Sequence, residues 1–264
     1  MERYRTSMDR RAYLKTVGAT GAVAITGTAG CLGGGDEATL TAGTAPGFPP
    51  FEMKEGGDLV GFDIDLLEAI VEETEYTLEG WEEFEFDSLI PALTNDNIDV
   101  IAAAMTINDE RDETIDFSDP YYSADQSILV ADDADFMPES LEDLADRPLG
   151  AQTGTTGEGV VEDELIANDL ITDGQYNSYG NYVLAVEDLV NGNIDAVVLD
   201  TPVAQTFAAD RPVTVAFEYE TGENYGFGIR DGESDLQSAL NDGLQTVRDD
   251  GTYEDITATW FAEE

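Results

Sequence analysis

From Thr39 onward, short apolar runs alternate with segments whose apolar residues recur at helical spacing. Leu40 to Gly43 is expected as a strand, and Phe48-Pro49-Pro50-Phe51 as a loop. A helix should run from the Gly61-Phe62-Asp63 entry to about Thr74, with Asp63 as N-cap and Leu66, Ala69 and Ile70 on its buried face. Tyr76 to Trp81 reads as a strand. Asp87 to Leu93 reads as a helix that tolerates Pro91 only in its first turn. Ile98 to Ala103 is a buried strand bounded by an Asn/Asp cluster. Strands follow at Ser127 to Ala131, Leu149 to Gln152, Ile194 to Leu199, Val213 to Phe217 and Tyr225 to Ile229. Helices are expected after Gly154-Thr155-Thr156-Gly157, and over Tyr182 to Val190, Pro202 to Ala208, Asp235 to Arg248 and Tyr253 to Phe261. This alternation implies an α/β protein with parallel sheets and helices on both faces.

One segment recurs. Leu93-Thr94-Asn95-Asp96-Asn97-Ile98-Asp99-Val100 is echoed by Leu189-Val190-Asn191-Gly192-Asn193-Ile194-Asp195-Ala196. Each copy reads as a helix end, a tight turn and a buried strand. The echo points to two similar α/β lobes. In such sheets ligands sit beyond the carboxyl ends of the strands, so two facing lobes would share one cleft.

Charge narrows the partners. The 264 residues include 58 Asp+Glu, 11 Lys+Arg and no His. Met1 to Gly30 hold five of the basic and two of the acidic residues, leaving six basic and 56 acidic beyond. Acid spread along the whole chain, with only Lys15 and Lys54 as lysines, is the pattern of a protein adapted to molar salt. It argues against nucleic acid as a partner and against an electrostatic grip on anionic membranes. With no His and the single Cys31, thiolate–imidazole zinc sites and Ser-His-Asp or Cys-His catalysis are excluded, as is an internal disulfide. No cofactor or metal is expected.

The N-terminus reads as an address. Asp9-Arg10-Arg11-Ala12-Tyr13-Leu14-Lys15 resembles a twin-arginine export motif. The apolar stretch Val17 to Ala29 is too short to span a bilayer. Thr28-Ala29-Gly30-Cys31 resembles a lipoprotein cleavage box, with Thr28 where an apolar residue is usual. Residues 1–30 are therefore expected to be a signal peptide, Cys31 a lipidated residue, and 31–38 a flexible tether.

Beyond the expected strand ends stand residues that suit a zwitterion. Thr106 and Arg111 follow Ile98 to Ala103. Thr155 and Thr156 follow Leu149 to Gln152 at a helix start. Asp200 follows Ile194 to Leu199, Phe48 follows Leu40 to Gly43, and Phe86 precedes the Asp87 helix. Arg111 and the Thr155/Thr156 turn could hold a carboxylate, Asp200 an ammonium, and Phe48 and Phe86 a side chain. Each residue also has a plainer reading. Arg111 could pair with Asp109 or Asp112 at the surface, Asp200 and Thr155 could be helix caps, and both phenylalanines could be core.

Gly61-Phe62-Asp63-Ile64-Asp65-Leu66 with Ala69-Ile70-Val71 resembles the signature of the polar-amino-acid family of extracellular solute-binding proteins, family 3. Phe86 to Leu93, Met105-Thr106-Ile107 through Arg111, Asp116-Phe117-Ser118 through Tyr122, Gly154-Thr155-Thr156, and Asp195 through Asp200 are similar to further family blocks, in family order. Together they cover Thr39 to Phe261, and the charge pattern suggests a haloarchaeal type. The resemblance implies a two-lobed, type II periplasmic-binding-protein-like fold with the ligand in the interlobe cleft. Lobe 1 would span 39–123 and 225–264 and lobe 2 would span 124–224, with crossovers near Tyr122 to Ser127 and Glu223 to Gly228. It implies carboxylate binding by Arg111, ammonium binding by Asp200, and further ligand contacts from Thr106, Thr156 and the Ala104 carbonyl, beside the Thr155 read from its helix start. Phe48 and Phe86 become aromatic walls, and Gln152 meets the ligand side chain. Where basic-amino-acid binders carry an acid before the first aromatic, this chain has Ala45, and no second arginine awaits an acidic side chain. The ligand is therefore expected to be a neutral or polar amino acid. The implied protein is a monomer tethered at the outer face of the cytoplasmic membrane. It hands its ligand to an ABC permease and, through that, to an ATPase. A sensor with the same lobes, or a dehydratase-like enzyme on the same scaffold, is the alternative.

Overall fold

The computed structural model describes residues 38–261, so the expected signal peptide, Cys31 and most of the tether lie outside the described residues. In chain order the described residues form β1 (Ala38–Thr44), a hairpin of β2 (Met53–Glu55) and β3 (Asp58–Val60), α1 (Phe62–Glu72), β4 (Tyr76–Glu83), α2 (Leu89–Thr94), β5 (Val100–Ile101), α3 (Asp109–Asp112) and β6 (Ile115–Phe117). They continue as β7 (Tyr122–Ala131), β8 (Leu149–Gln152), α4 (Thr156–Val160), β9 (Tyr176–Tyr179), α5 (Tyr182–Val190), β10 (Ala196–Asp200), α6 (Thr201–Asp210), β11 (Val213–Tyr225), β12 (Gly228–Arg230), α7 (Ser234–Asp249) and α8 (Thr252–Trp260). Ala38, assigned by sequence to the tether, is already in β1.

Two five-stranded sheets result, ordered β4-β1-β5-β12-β6 and β11-β7-β10-β8-β9. They are mixed, not purely parallel as the alternation implied. β1 runs parallel to β4 and β5, and β8 parallel to β9 and β10. β12 is antiparallel to β5 and β6, and β7 is antiparallel to β10 and β11. The reason is connectivity. Strands joined through a helix re-enter a sheet parallel, whereas a strand arriving directly from the other sheet has no crossover helix to turn it. β7 and β11 carry the chain between the sheets side by side, paired from Tyr122↔Tyr225 to Ala131↔Val213. The expected strand over Tyr225 to Ile229 is thereby split. Tyr225 closes β11, Gly226 donates to the Met105 carbonyl, and β12 begins at Gly228.

The sequence echo is a structural repeat. α2 and α5 each end in a turn whose fourth echoed residue is left-handed, Asp96 at φ 58° and Gly192 at φ 71°. Asn97 N–H closes on Ala92 O at 3.0 Å, and Asn193 N–H on Asp188 O at 2.9 Å. The following Asp99 and Asp195 dock their N–H groups on Thr41 O and Pro148 O, which sets both following strands beside β1 and β8. Aromatic rings pack where the chain crosses. Tyr122 stacks on Tyr225 at 5.8 Å and Phe51 meets Tyr225 edge-on at 5.3 Å, filling the join with rigid, well-packed surface.

Candidate functional site

The strand ends of both sheets face one another. All nine residues predicted for the ligand site line one enclosed cavity. Phe48, Phe86, Ala104, Thr106 and Arg111 come from the first lobe, and Gln152, Thr155, Thr156 and Asp200 from the second. A tenth lining residue, Glu52, was not predicted. In this closed arrangement the cavity is about 10 Å³, close to what one water occupies. A wider cleft of about 630 Å³ shares Phe86, Arg111, Thr155 and Thr156 with it.

Arg111 lies on the single turn α3, which Asn108 caps by accepting the Arg111 N–H at 2.9 Å. Its side chain does not form the surface ion pair with Asp109 or Asp112 that the plainer reading expects. It is buried and, among the described residues, makes no ion pair. Nη1 donates to Thr106 O at 2.6 Å, and Nη2 reaches across the cleft to Gly154 O at 2.8 Å. The guanidinium also lies 5.3 Å from the Phe86 ring centroid. Burial weakens its hold on the proton, and the nearby Asp200 and Glu223 restore part of it. Two of its five N–H donors are committed, so three are available for an anion.

A second bridge crosses beside it. Thr156 Oγ1 donates to Thr106 Oγ1 at 3.0 Å, and Thr106 donates to Glu223 Oε2 at 2.7 Å. Glu223 sits on the crossing strand β11 and also accepts from Gln126 and Thr221. Thr155 is indeed the N-cap of α4, accepting from Glu158 N at 3.3 Å, and it also bonds Gln152 O and the Tyr182 hydroxyl. Phe48 is fixed by its backbone pairing with Glu52 and lies 5.7 Å from the ring of Tyr182 in the other lobe.

The carboxylates are the unusual part. Asp200 occupies the N-cap position of α6, yet its side chain makes no capping bond. It instead accepts from the Tyr225 hydroxyl. Burial pushes its carboxyl up to about 7, Glu223 adds to this, and the Tyr225 hydrogen bond opposes it. Glu52 is fully buried and, among the described residues, neither of its carboxylate oxygens has a partner. Burial raises its carboxyl well above the usual range, and Asp63 and Asp200 raise it further. Gln152 Oε1 is likewise unpartnered. The expected loop ends at Phe51, one residue short of Glu52, whose backbone pairs with Phe48. Asp63, read as an N-cap, is instead inside α1. Gly61 is the cap residue and makes no side-chain capping bond, while Asp63 accepts the Ala104 N–H and the Tyr121 hydroxyl.

Ionised, the cavity wall carries one cation and two anions, so it can hold an α-carboxylate, an α-ammonium and one further positive or donor-rich group. Among the described residues, no cluster of His, Cys, Asp and Glu could hold a metal ion, and no helix is long and apolar enough to cross a membrane.

Known proteins share this plan. The chain is 35% identical over 228 residues to a protein of Campylobacter jejuni named a probable histidine-binding protein, covering 85% of this chain and 86% of that one. It is 31% identical over 231 residues to ABC transporter arginine-binding protein 1 of Escherichia coli, covering 85% and 91%. The structure of an ancestral arginine-binding protein bound to arginine superposes with a TM-score of 0.79 at 38% identity, covering 85% of this chain and 99% of that one. Residues 40–263 match the family described as bacterial extracellular solute-binding proteins, family 3, and the chain belongs to that family.

Proposed function

We propose that this protein captures an amino acid with a cationic side chain by closing its lobes, and hands it to an ABC permease. In this reading Arg111 and the Thr156 end of α4 take the α-carboxylate, and Asp200 and the Ala104 carbonyl take the α-ammonium. Phe48 and Phe86 flank the side chain, and Glu52 pairs with its positive end. Glu52, a buried carboxylate with no partner on a wall that already holds Asp200, carries the reading. A neutral zwitterion satisfies Arg111 and Asp200 and leaves Glu52 orphaned, at a cost of several kcal/mol if it is ionised. A cationic amino acid brings one more positive charge and balances the cavity. The expectation of a neutral side chain rested on Ala45, and Glu52 supplies from the far side of the loop the acid that Ala45 does not. The relatives named for histidine and arginine are consistent with this.

The ligand joins residues of both lobes only when they are closed, so it gains contacts there and shifts the population toward closure. We further propose export through the twin-arginine motif, lipidation at Cys31 and tethering as a monomer at the outer face of the cytoplasmic membrane, on the N-terminal sequence alone. Binding without catalysis fits a cavity whose side chains pair with the ends of an amino acid.

The test is a thermal-shift screen in multimolar KCl with arginine, lysine, histidine, glutamine, leucine and glutamate. A ligand at about 100 times its Kd adds about 2.7 kcal/mol, a shift of several degrees for a domain of this size. Arginine, lysine or histidine should give the largest shift, and Glu52→Gln should abolish that preference. Glutamine or leucine binding most tightly would return the site to a neutral ligand.

A further inference from the structure

Among the described residues, four non-glycine residues have left-handed backbone. Three are aspartates, whose side chains help to stabilise that conformation, and the fourth is Ala104 at φ 45°. Alanine has no polar group with which to hold itself there. The hold comes from outside. Asp63 Oδ2 accepts the Ala104 N–H at 2.7 Å and the Tyr121 hydroxyl at 2.6 Å. Asp63 is fully buried in the first turn of α1, and its Oδ1 has no partner. That turn is in turn fixed beneath the Glu52 loop, because Phe62 and Asp63 donate their N–H groups to Pro50 O and Phe51 O at 2.9 and 3.0 Å. The Asp63 carboxylate thus ties the Ala104 wall of the cavity to the residue before crossing strand β7, while its backbone N–H holds the Glu52 loop.

A neutral side chain could accept one N–H. A buried carboxylate is a costly way to do so, and burial pushes this one up to about 7, opposed by the bonds from Tyr121 and Ala104. The charge of Asp63 in turn raises the buried carboxyl of Glu52, in the same direction as burial does. The carbonyl of Ala104 accepts no hydrogen bond among the described residues, although Ala104 is buried and lines the cavity. A buried carbonyl without a donor is completed by whatever enters the site.

We propose that Asp63 is a positioning residue for ligand recognition: it holds Ala104 left-handed, so that the Ala104 carbonyl, on the cavity that Asp200 also lines, is the second acceptor for the ligand's α-ammonium. This rests on the amino-acid reading of the cavity. It adds a determinant that touches no ligand and lies one hydrogen bond behind the wall.

The test uses Asp63→Asn in the full chain, with folding checked by circular dichroism and melting. Two ligands are compared by calorimetry: arginine, and the same molecule without its α-amine. Wild type is measured first, and failure to bind any α-amino acid would defeat the reading of the cavity itself. Otherwise Asp63→Asn should weaken arginine about tenfold or more, the scale of one charge-assisted hydrogen bond, while the des-amino analogue loses at most about twofold. Ala104→Gly added to Asp63→Asn should recover about threefold, because glycine takes positive φ without strain. Equal losses for both ligands, with no rescue, would reduce Asp63 to a structural residue, and unaltered arginine affinity would overturn the proposal outright. If Asp63→Asn does not fold, Tyr121→Phe serves, since it removes one oxygen and the second donor to the same carboxylate. It should lower discrimination between amine and des-amino ligand severalfold, and unchanged discrimination overturns the proposal.

Discussion

Arg111 is one of only six basic residues beyond Gly30, and it is the one that lines the cavity. The other five serve elsewhere. Lys54, Arg147 and Arg230 pair with acids, Arg248 bonds the carbonyls of Pro120 and Tyr121, and Arg211 ends α6. Arg111→Ala should reduce amino-acid affinity at least a hundredfold, about 3 kcal/mol, while the fold persists; calorimetry and circular dichroism check both arms. Three buried carboxyls set the pH response: Asp63 and Asp200, both pushed up to about 7 by burial, and Glu52, which burial raises well above the usual range. Folded groups with raised values bind protons more tightly than the unfolded chain does. Their stabilising contribution is complete below about pH 4 and is lost as pH rises through about 7. Denaturant midpoints of the ligand-free protein should therefore rise from pH 8 to pH 6. Affinity for a cationic amino acid should fall over the same window, because that ligand needs the ionised forms.

At the scale of elements, the start of α1 is packed too closely for any side chain. A Cβ on Gly61 would stand 1.9 Å from Phe51 O, at a φ of 148° that L-residues rarely adopt. Gly61→Ala should cost about 2–5 kcal/mol by denaturant unfolding, and it should weaken binding too, since the displaced loop carries Phe48 and Glu52. The elements also show where sequence reading works. α2 and α5 were legible from their periodicity and their shared turn. β6, β9 and the hairpin β2–β3 do not stand out from loops, because each is three or four residues long and carries polar residues, unlike the equally short β8 with its Leu149-Gly150-Ala151 run. β11 was read only as far as Phe217, since its second half, Glu218 to Asn224, is largely polar and is held as strand by pairing with β7.

At the scale of the molecule, charge dominates. With a formal net charge of −47, self-repulsion is screened only when salt is abundant. Far-ultraviolet circular dichroism should show a native fold in multimolar KCl and a loosened one at about 0.1 M, where the Debye length of about 10 Å spans many neighbouring acids. An unchanged spectrum would remove the salt-adaptation reading.

By itself, the sequence determined the alternation of elements, the repeat, the aptness of Arg111, Asp200 and the two threonines for a zwitterion, and the family these motifs resemble. Those features are local: a period, a turn, a residue type at a strand end. Only the tertiary structure decided that the sheets are mixed, that Arg111 is buried rather than paired at the surface, and that Asp200 bonds Tyr225 instead of capping α6. It also brought Glu52 to the cavity wall and Asp63 beneath Ala104. Whether a carboxylate is solvated or stranded depends on what the rest of the chain packs around it, and no spacing along the sequence encodes that.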